Sequence, residues 1–213
     1  MEAGWTRGYG PAVRELVLVR HGETVGQSSI RLYGATDVAL AAEGEAQVRA
    51  AGERLVGQRF DRVLTSPLQR AGRSTEVVLA AMGHPPIAVE VVEGFREVDF
   101  GRWEGWTWSE VEVRDTEGLA RHEREGLDFC YPGGESRRAF VERVQAAVGP
   151  SIAAHFAAGA RRQLVVVHKG VIKAIAAHML DQPIEALRDW DPPLGSVHVL
   201  REHEGRWQRS QTP

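Results

Sequence analysis

The chain has 213 residues, 43% hydrophobic and 26% charged, with a net charge of −3. That length fits one globular domain, and the slightly acidic balance gives no basic face for nucleic acid. No apolar run approaches the roughly 20 residues that span a bilayer, and the lone Cys130 excludes an internal disulfide framework and fits a reducing, cytoplasmic compartment.

Residues 1–14 carry Gly4, Gly8, Gly10 and Pro11 and no apolar segment, which predicts a flexible N-terminal extension and not a signal peptide. Residues 15–213 are expected to form one domain. Leu16-Val17-Leu18-Val19 is apolar throughout, as in a strand buried on both faces of a parallel sheet. It stops on Arg20-His21-Gly22-Glu23-Thr24. Over 43–57, Val48, Ala51 and Leu55 recur at helical spacing. A strand at about 61–65 leads into a helix over 67–82, with Leu68, Ala71, Thr75, Val78, Leu79 and Met82 on one stripe. Ser66 is its expected N-cap and Pro67 its first helical residue.

A further strand is expected at about 87–92. The region 93–135 is rich in Trp, Glu, Arg and Gly without a long amphipathic stripe, and reads as a loop-rich cap over the strand C-terminal ends. Ser136 to Ala158 reads as one long helix opened by Ser136, with Phe140, Val144, Val148, Ile152 and Phe156 inward. Leu164-Val165-Val166-Val167 then repeats the first pattern and runs into His168-Lys169-Gly170. A helix at about 170–180 and a strand at about 196–201 complete the series. Strands alternating with helices predict an α/β fold of three layers, a mostly parallel sheet flanked by helices.

In such sheets ligands bind beyond the C-terminal strand ends. Two strands ending on His21 and His168 suggest two imidazoles facing one site. Arg20 adjoins the first, and Arg70 lies in the opening turns of a helix whose N-terminus favours an anion. Guanidinium forks match phosphate oxygens, so these groups make a phosphate pocket if the strand ends converge. A neutral histidine there can attack phosphorus, and the leaving alkoxide then needs a proton from a carboxylic acid. A structural histidine or a solvated Arg70 is the simpler reading of each residue alone. A metal held by His21 and His168 is not expected, since no other histidine gives a tight ligand spacing. Gly134-Glu135-Ser136 lacks the Gly-x-Ser-x-Gly elbow of serine hydrolases.

Val19-Arg20-His21-Gly22-Glu23-Thr24 resembles the signature of the histidine phosphatase superfamily, which includes phosphoglycerate mutases and small cytosolic phosphatases. Gly34 to Leu40, Thr65-Ser66-Pro67-Leu68-Gln69-Arg70-Ala71, Phe95 to Gly105, Pro132 to Ser136 and Val166 to Ile172 resemble its later motifs, in order, over about 15–201. The resemblance implies that His21 is the nucleophile and that Arg20, Arg70 and His168 hold the phosphoryl oxygens. It implies Glu97 as general acid and base, in preference to Glu93, Asp99 and Glu104, with no metal and no organic cofactor.

Two positions depart from the family pattern. Gly26-Gln27 stands where Trp-Asn is usual, so Gln27 is the candidate for one more phosphate contact. Lys169 replaces a small residue and could meet a further anionic group or simply face solvent. The short acid segment resembles the phosphatase branch, so the resemblance implies hydrolysis of a phosphomonoester on a small metabolite, with phosphoglycerate mutase activity as the alternative. A non-catalytic phosphate-binding module would have lost one of these residues; all are present. Trp103, Trp106, Trp108, Arg102, Arg114, Arg121 and His122 are the cap's candidate substrate contacts. Phospho-sugars, phosphoglycerate derivatives and nucleotide-like esters, an α-ribazole phosphate among them, stay open, as does oligomeric state.

Overall fold

A computed structural model describes residues 13–210. Most of the expected extension over 1–14 therefore lies outside the described residues. The strands are β1 (Glu15–Arg20), β2 (Arg62–Thr65), β3 (Val89–Val91), β4 (Arg162–Val167), β5 (Val197–His203) and β6 (Arg206–Ser210). The helices are α1 (Ala42–Arg54), α2 (Gln69–Ala81), α3 (Trp108–Arg114), α4 (Thr116–Glu125), α5 (Arg137–Val148), α6 (Ala154–Ala157) and α7 (Lys169–Met179). The sheet runs β3-β2-β4-β1-β5-β6. Its first four strands are parallel, and β5 and β6 add an antiparallel edge.

Alternation along the central strands splits the core in two. Leu16, Leu18, Val165 and Val167 pack with Phe140, Val144 and Ile172 of α5 and α7. Val17, Val19, Leu164 and Val166 pack with Val48, Ala51, Val77 and Val78 of α1 and α2. Both faces of β1 and β4 are thus covered, which is why these strands are apolar throughout. Cutting Leu18 to alanine would cost about 2–5 kcal/mol at so enclosed a site.

Three expectations are corrected. The long helix over 136–158 is interrupted by a π turn at Gly149–Ala153, because Pro150 has no N–H for the helical ladder. The buried Gln163 then donates Nε2 to Ile152 O at 2.9 Å. Ser136 caps α5 as expected, accepting from Ala139 N at 3.0 Å. Ser66 is not the N-cap: α2 starts at Gln69 behind Leu68, which offers no side-chain cap, and Asp37 Oδ1 accepts the Gln69 N–H at 2.9 Å. The cap region carries two helices, α3 and α4, joined at Asp115; α3 opens on a capping box formed by Thr107 and Glu110. Strand β6 has no apolar run to announce it, since Arg206–Ser210 is an outer edge. Among the described residues no helix is long and apolar enough to cross a membrane.

Candidate active site

Strand register builds the centre. β1 and β4 pair in parallel with Arg20 opposite Val167, so the next residues, His21 and His168, are neighbours. Their ring centroids lie 5.1 Å apart in an edge-on arrangement. Thr65 of β2 pairs with Val166, which brings Ser66 alongside, and Ser66 Oγ meets His168 Nε2 at 2.7 Å.

The hydrogen bonds assign the ring protons. His21 Nδ1 lies 2.7 Å from Gly22 O, and a carbonyl only accepts, so Nδ1 carries the proton and Nε2 is left with its lone pair. Ser66 Oγ accepts the Leu68 N–H at 3.3 Å and keeps a second lone pair beside its own proton, so its contact with His168 Nε2 serves either tautomer. With Ser66 as the donor, the His168 proton sits on Nδ1. Both rings are held well below the usual imidazole value, by burial first and then by the Arg70 charge. His21 is therefore a neutral imidazole with a free nitrogen.

Arg70 is fully buried. Its Nη1 donates to Thr36 O at 2.9 Å, and its Nη2 to Gly34 O at 2.7 Å and Tyr33 O at 3.2 Å. Arg20 donates Nη1 to Pro192 O at 2.8 Å. Burial lowers the pKa of both guanidiniums, and Glu97 is the first of the charges opposing that on each. Three buried polar atoms remain without a protein partner here: Arg20 Nε, Arg70 Nε and His168 Nδ1. The two arginine nitrogens are donors, as is His168 Nδ1 in the tautomer whose Nε2 accepts from Ser66, and buried donors are rarely left unpaired. Oxygens of an anion would satisfy all three.

Glu97 is 8% exposed. Its Oε1 accepts from Val98 N at 3.0 Å and its Oε2 from Gly170 N at 3.0 Å. It lines an open cleft of about 440 Å³ with Arg96 and Asp99. The rival carboxylates are otherwise engaged. Glu104 accepts the N–H groups of Gly34, Ala35, Thr36 and Phe100, Asp99 accepts from Gly101 N at 2.8 Å, and Glu93 pairs with Arg96 at the surface.

His21, Arg20, Arg70, His168 and Glu97 thus come together. Gln27 does not join them: it turns the backbone with φ 62°, and its exposed side chain has no partner among the described residues. The cap's expected contacts are mostly structural. Trp103 is fully buried and donates Nε1 to Asp115 Oδ2 at 2.8 Å. His122 packs among Trp103, Trp108, Phe129 and Tyr131. Arg114 and Arg121 pair with Glu110 and Glu125, and Arg102 with Asp115; Arg114 also lies over Trp106. Ser66, Gly170 and Glu104 are the supporting residues that motif reading passed over. Each acts through one hydrogen bond or several that only the assembled strand ends create.

The model of the histidine phosphatase superfamily (branch 1) matches residues 16–211. A 2,3-bisphosphoglycerate-dependent phosphoglycerate mutase of Gloeobacter violaceus is 32% identical, over 86% of this chain and 85% of its own length. A glucosyl-3-phosphoglycerate phosphatase of Mycolicibacterium vanbaalenii is also 32% identical, over 87% of this chain and 80% of its own. The solved structure of a mycobacterial glucosyl-3-phosphoglycerate phosphatase superposes with a TM-score of 0.77 at 28% identity, covering 92% of this chain and 97% of that one. Two histidines on adjacent parallel strands, two buried arginines and a seated carboxylate are thus the centre of a chain that belongs to the histidine phosphatase superfamily.

Proposed function

We propose that the chain hydrolyses phosphomonoesters of small metabolites through a phosphohistidine at His21, with Glu97 as general acid and base. The observation that carries this reading is the set of three buried, unpaired nitrogens, Arg20 Nε, Arg70 Nε and His168 Nδ1, beside a neutral His21. A phosphoryl group fits them, because its oxygens accept what these donors offer while two fixed positive charges oppose the charge that grows in the transition state.

His21 Nε2 attacks phosphorus as the ester P–O bond breaks, and protonated Glu97 gives its proton to the leaving oxygen. Water then attacks the phosphohistidine, Glu97 takes its proton, the P–N bond breaks and phosphate leaves. Arg20, Arg70 and His168 hold the phosphoryl oxygens throughout. Gln27 is the candidate for one further amide donor to the phosphate. Residues 15–213 act as one catalytic unit, since every motif serves one sheet edge, and the lone Cys130 supports a cytoplasmic setting. No step needs a metal.

The test is p-nitrophenyl phosphate turnover in EDTA. Wild type is expected to be active and His21→Ala inactive; activity that EDTA abolishes, or that His21→Ala retains, would refute the reading. Mutase activity is the second reading, favoured by the similarity to the Gloeobacter mutase. It would show as isomerisation of phosphoglycerate without release of phosphate.

A further inference from the structure

Lys169 is the first residue of α7, directly after His168, and its ammonium pairs with the Asp191 carboxylate. Asp191 precedes Pro192, whose carbonyl holds Arg20 Nη1 at 2.8 Å, and Gly195 of the same segment donates its N–H to His21 O at 3.2 Å. The pair therefore stands on the rim of the phosphoryl pocket, one residue from His168 on one side and one from the support of Arg20 on the other. Gly170, next along α7, donates to Glu97, so Lys169 flanks the side on which the alcohol leaves.

A second lysine stands nearby on the same helix. Lys173, one turn further on, donates Nζ to Arg188 O at 3.0 Å. Burial first, and then the Lys169 charge, hold it below the ordinary lysine value, with Arg137 adding to the effect and Asp191 and Asp189 opposing it. Asp191 itself is held below the usual carboxylate range by its hydrogen bond from Lys169, with the charges of Lys169, Arg20 and Lys173 acting the same way against the effect of burial.

The Lys169–Asp191 pair is open to solvent, 43% on the lysine side chain and 71% on the aspartate. An ion pair that exposed contributes little stability, so an incoming anion displaces Asp191 at little cost and the flexible lysine stem follows it. Arg20 and Arg70 lack that freedom, being fastened to backbone carbonyls and directed at the phosphoryl group. We propose that Lys169 is a specificity-determining residue, exchanging Asp191 for a second anionic group, carboxylate or phosphate, carried on the leaving alcohol. The inference rests on the phosphatase reading above.

The test uses three-carbon esters whose far end is neutral, carboxylate or phosphate: glycerol 3-phosphate, 3-phosphoglycerate and glycerol 1,3-bisphosphate. Wild type is expected to prefer an anionic ester to the neutral one in kcat/KM, and the favoured member names the source of the charge. Lys169→Met should shrink that preference about tenfold, mainly through KM. Lys169→Arg should keep it and Asp191→Asn should enlarge it. A preference unchanged in Lys169→Met, or absent from a wild type that turns over the neutral ester, overturns the inference and leaves the phosphatase reading standing. A wild type inactive on all three and on p-nitrophenyl phosphate overturns both; one active on p-nitrophenyl phosphate alone overturns the inference and leaves the phosphatase reading standing.

Discussion

Gly170 donates its N–H to Glu97 Oε2 at 3.0 Å, and a Cβ at Gly170 would lie 2.5 Å from Glu97 Oε1. The carboxylate is seated against bare backbone in the first turn of α7, where N–H groups have no helical partner. Because α7 begins right after His168, one helix start fixes His168 and Glu97 together. Gly170→Ala should therefore push Glu97 aside and lower kcat by about ten- to a hundredfold, with KM changed less. Steady-state kinetics beside far-UV circular dichroism checks it; a folded variant with wild-type kcat would disprove the seating.

Glu97→Gln separates the two chemical steps. p-Nitrophenolate leaves without much help, so phosphorylation of His21 should survive, whereas the water attack loses its base. We expect a burst of one p-nitrophenol per site, then turnover slowed by about 10²–10⁴, with acid-labile phosphate trapped on the protein. Rapid-mix kinetics reads the burst, and a uniform slowing without it would move the acid–base role elsewhere.

Ser66 is a positioning residue. By donating across its 2.7 Å contact with His168 Nε2, it would hold the ring proton on Nδ1, the donor that the proposed mechanism offers to a phosphoryl oxygen. Ser66→Ala should cost about tenfold in kcat/KM, by loss of one oriented hydrogen bond to a charged group, and should weaken vanadate inhibition similarly. The nitrogen resonances of His168 should shift toward a mixed tautomer; unchanged resonances would deny Ser66 this role.

Motif order picked out the five residues that the strand ends bring together, and apolar runs located the central strands to within a residue or two. What stayed hidden was set by neighbours distant in sequence. Ser66 reads as a helix cap until β4 places His168 beside it. Glu104 reads as a rival acid until the loop at Gly34 wraps around it. Trp103 and His122 read as substrate contacts until α3 and α4 enclose them. Strand β6 shows no alternation strong enough to declare it, because only one of its sides meets another strand.

Glu104 links loop to arginine. It accepts four backbone N–H groups, three of them from Gly34, Ala35 and Thr36, and the carbonyls of Gly34 and Thr36 hold Arg70. Glu104→Ala should destabilise the fold by about 2–3 kcal/mol and raise the inhibition constant for inorganic phosphate, since Arg70 loses its cradle. Chemical denaturation and phosphate inhibition measure the two effects; a loss of stability with phosphate inhibition intact would uncouple Glu104 from Arg70.

Acid sensitivity follows from four histidines held neutral. His21 and His168 lie well below 6.5 through burial first and the Arg70 charge second. His122 is lowered to about 4 by burial and then Arg137, and His198 to about 4 by burial and then Arg209. In the unfolded chain each returns to near 6.5. Between the folded and unfolded values the unfolded state binds more protons, so stability rises with pH across that window. The contribution is whole above about 6.5 and is lost as pH falls from there toward 4. Carboxylates such as Asp191, lowered from 3.8, act only further down, so the range from about 6.5 to 5 belongs to the histidines. Tm should fall by roughly 10–20 °C over that range, and His122→Phe, which suits the aromatic cluster, should flatten the decline. Calorimetry across the interval decides: a Tm level from 6.5 to 5 would mean that these imidazoles are not buried neutral. Over the same range His21 stays unprotonated in the folded enzyme, so any acid limb of kcat/KM owed to it must lie below pH 6.5.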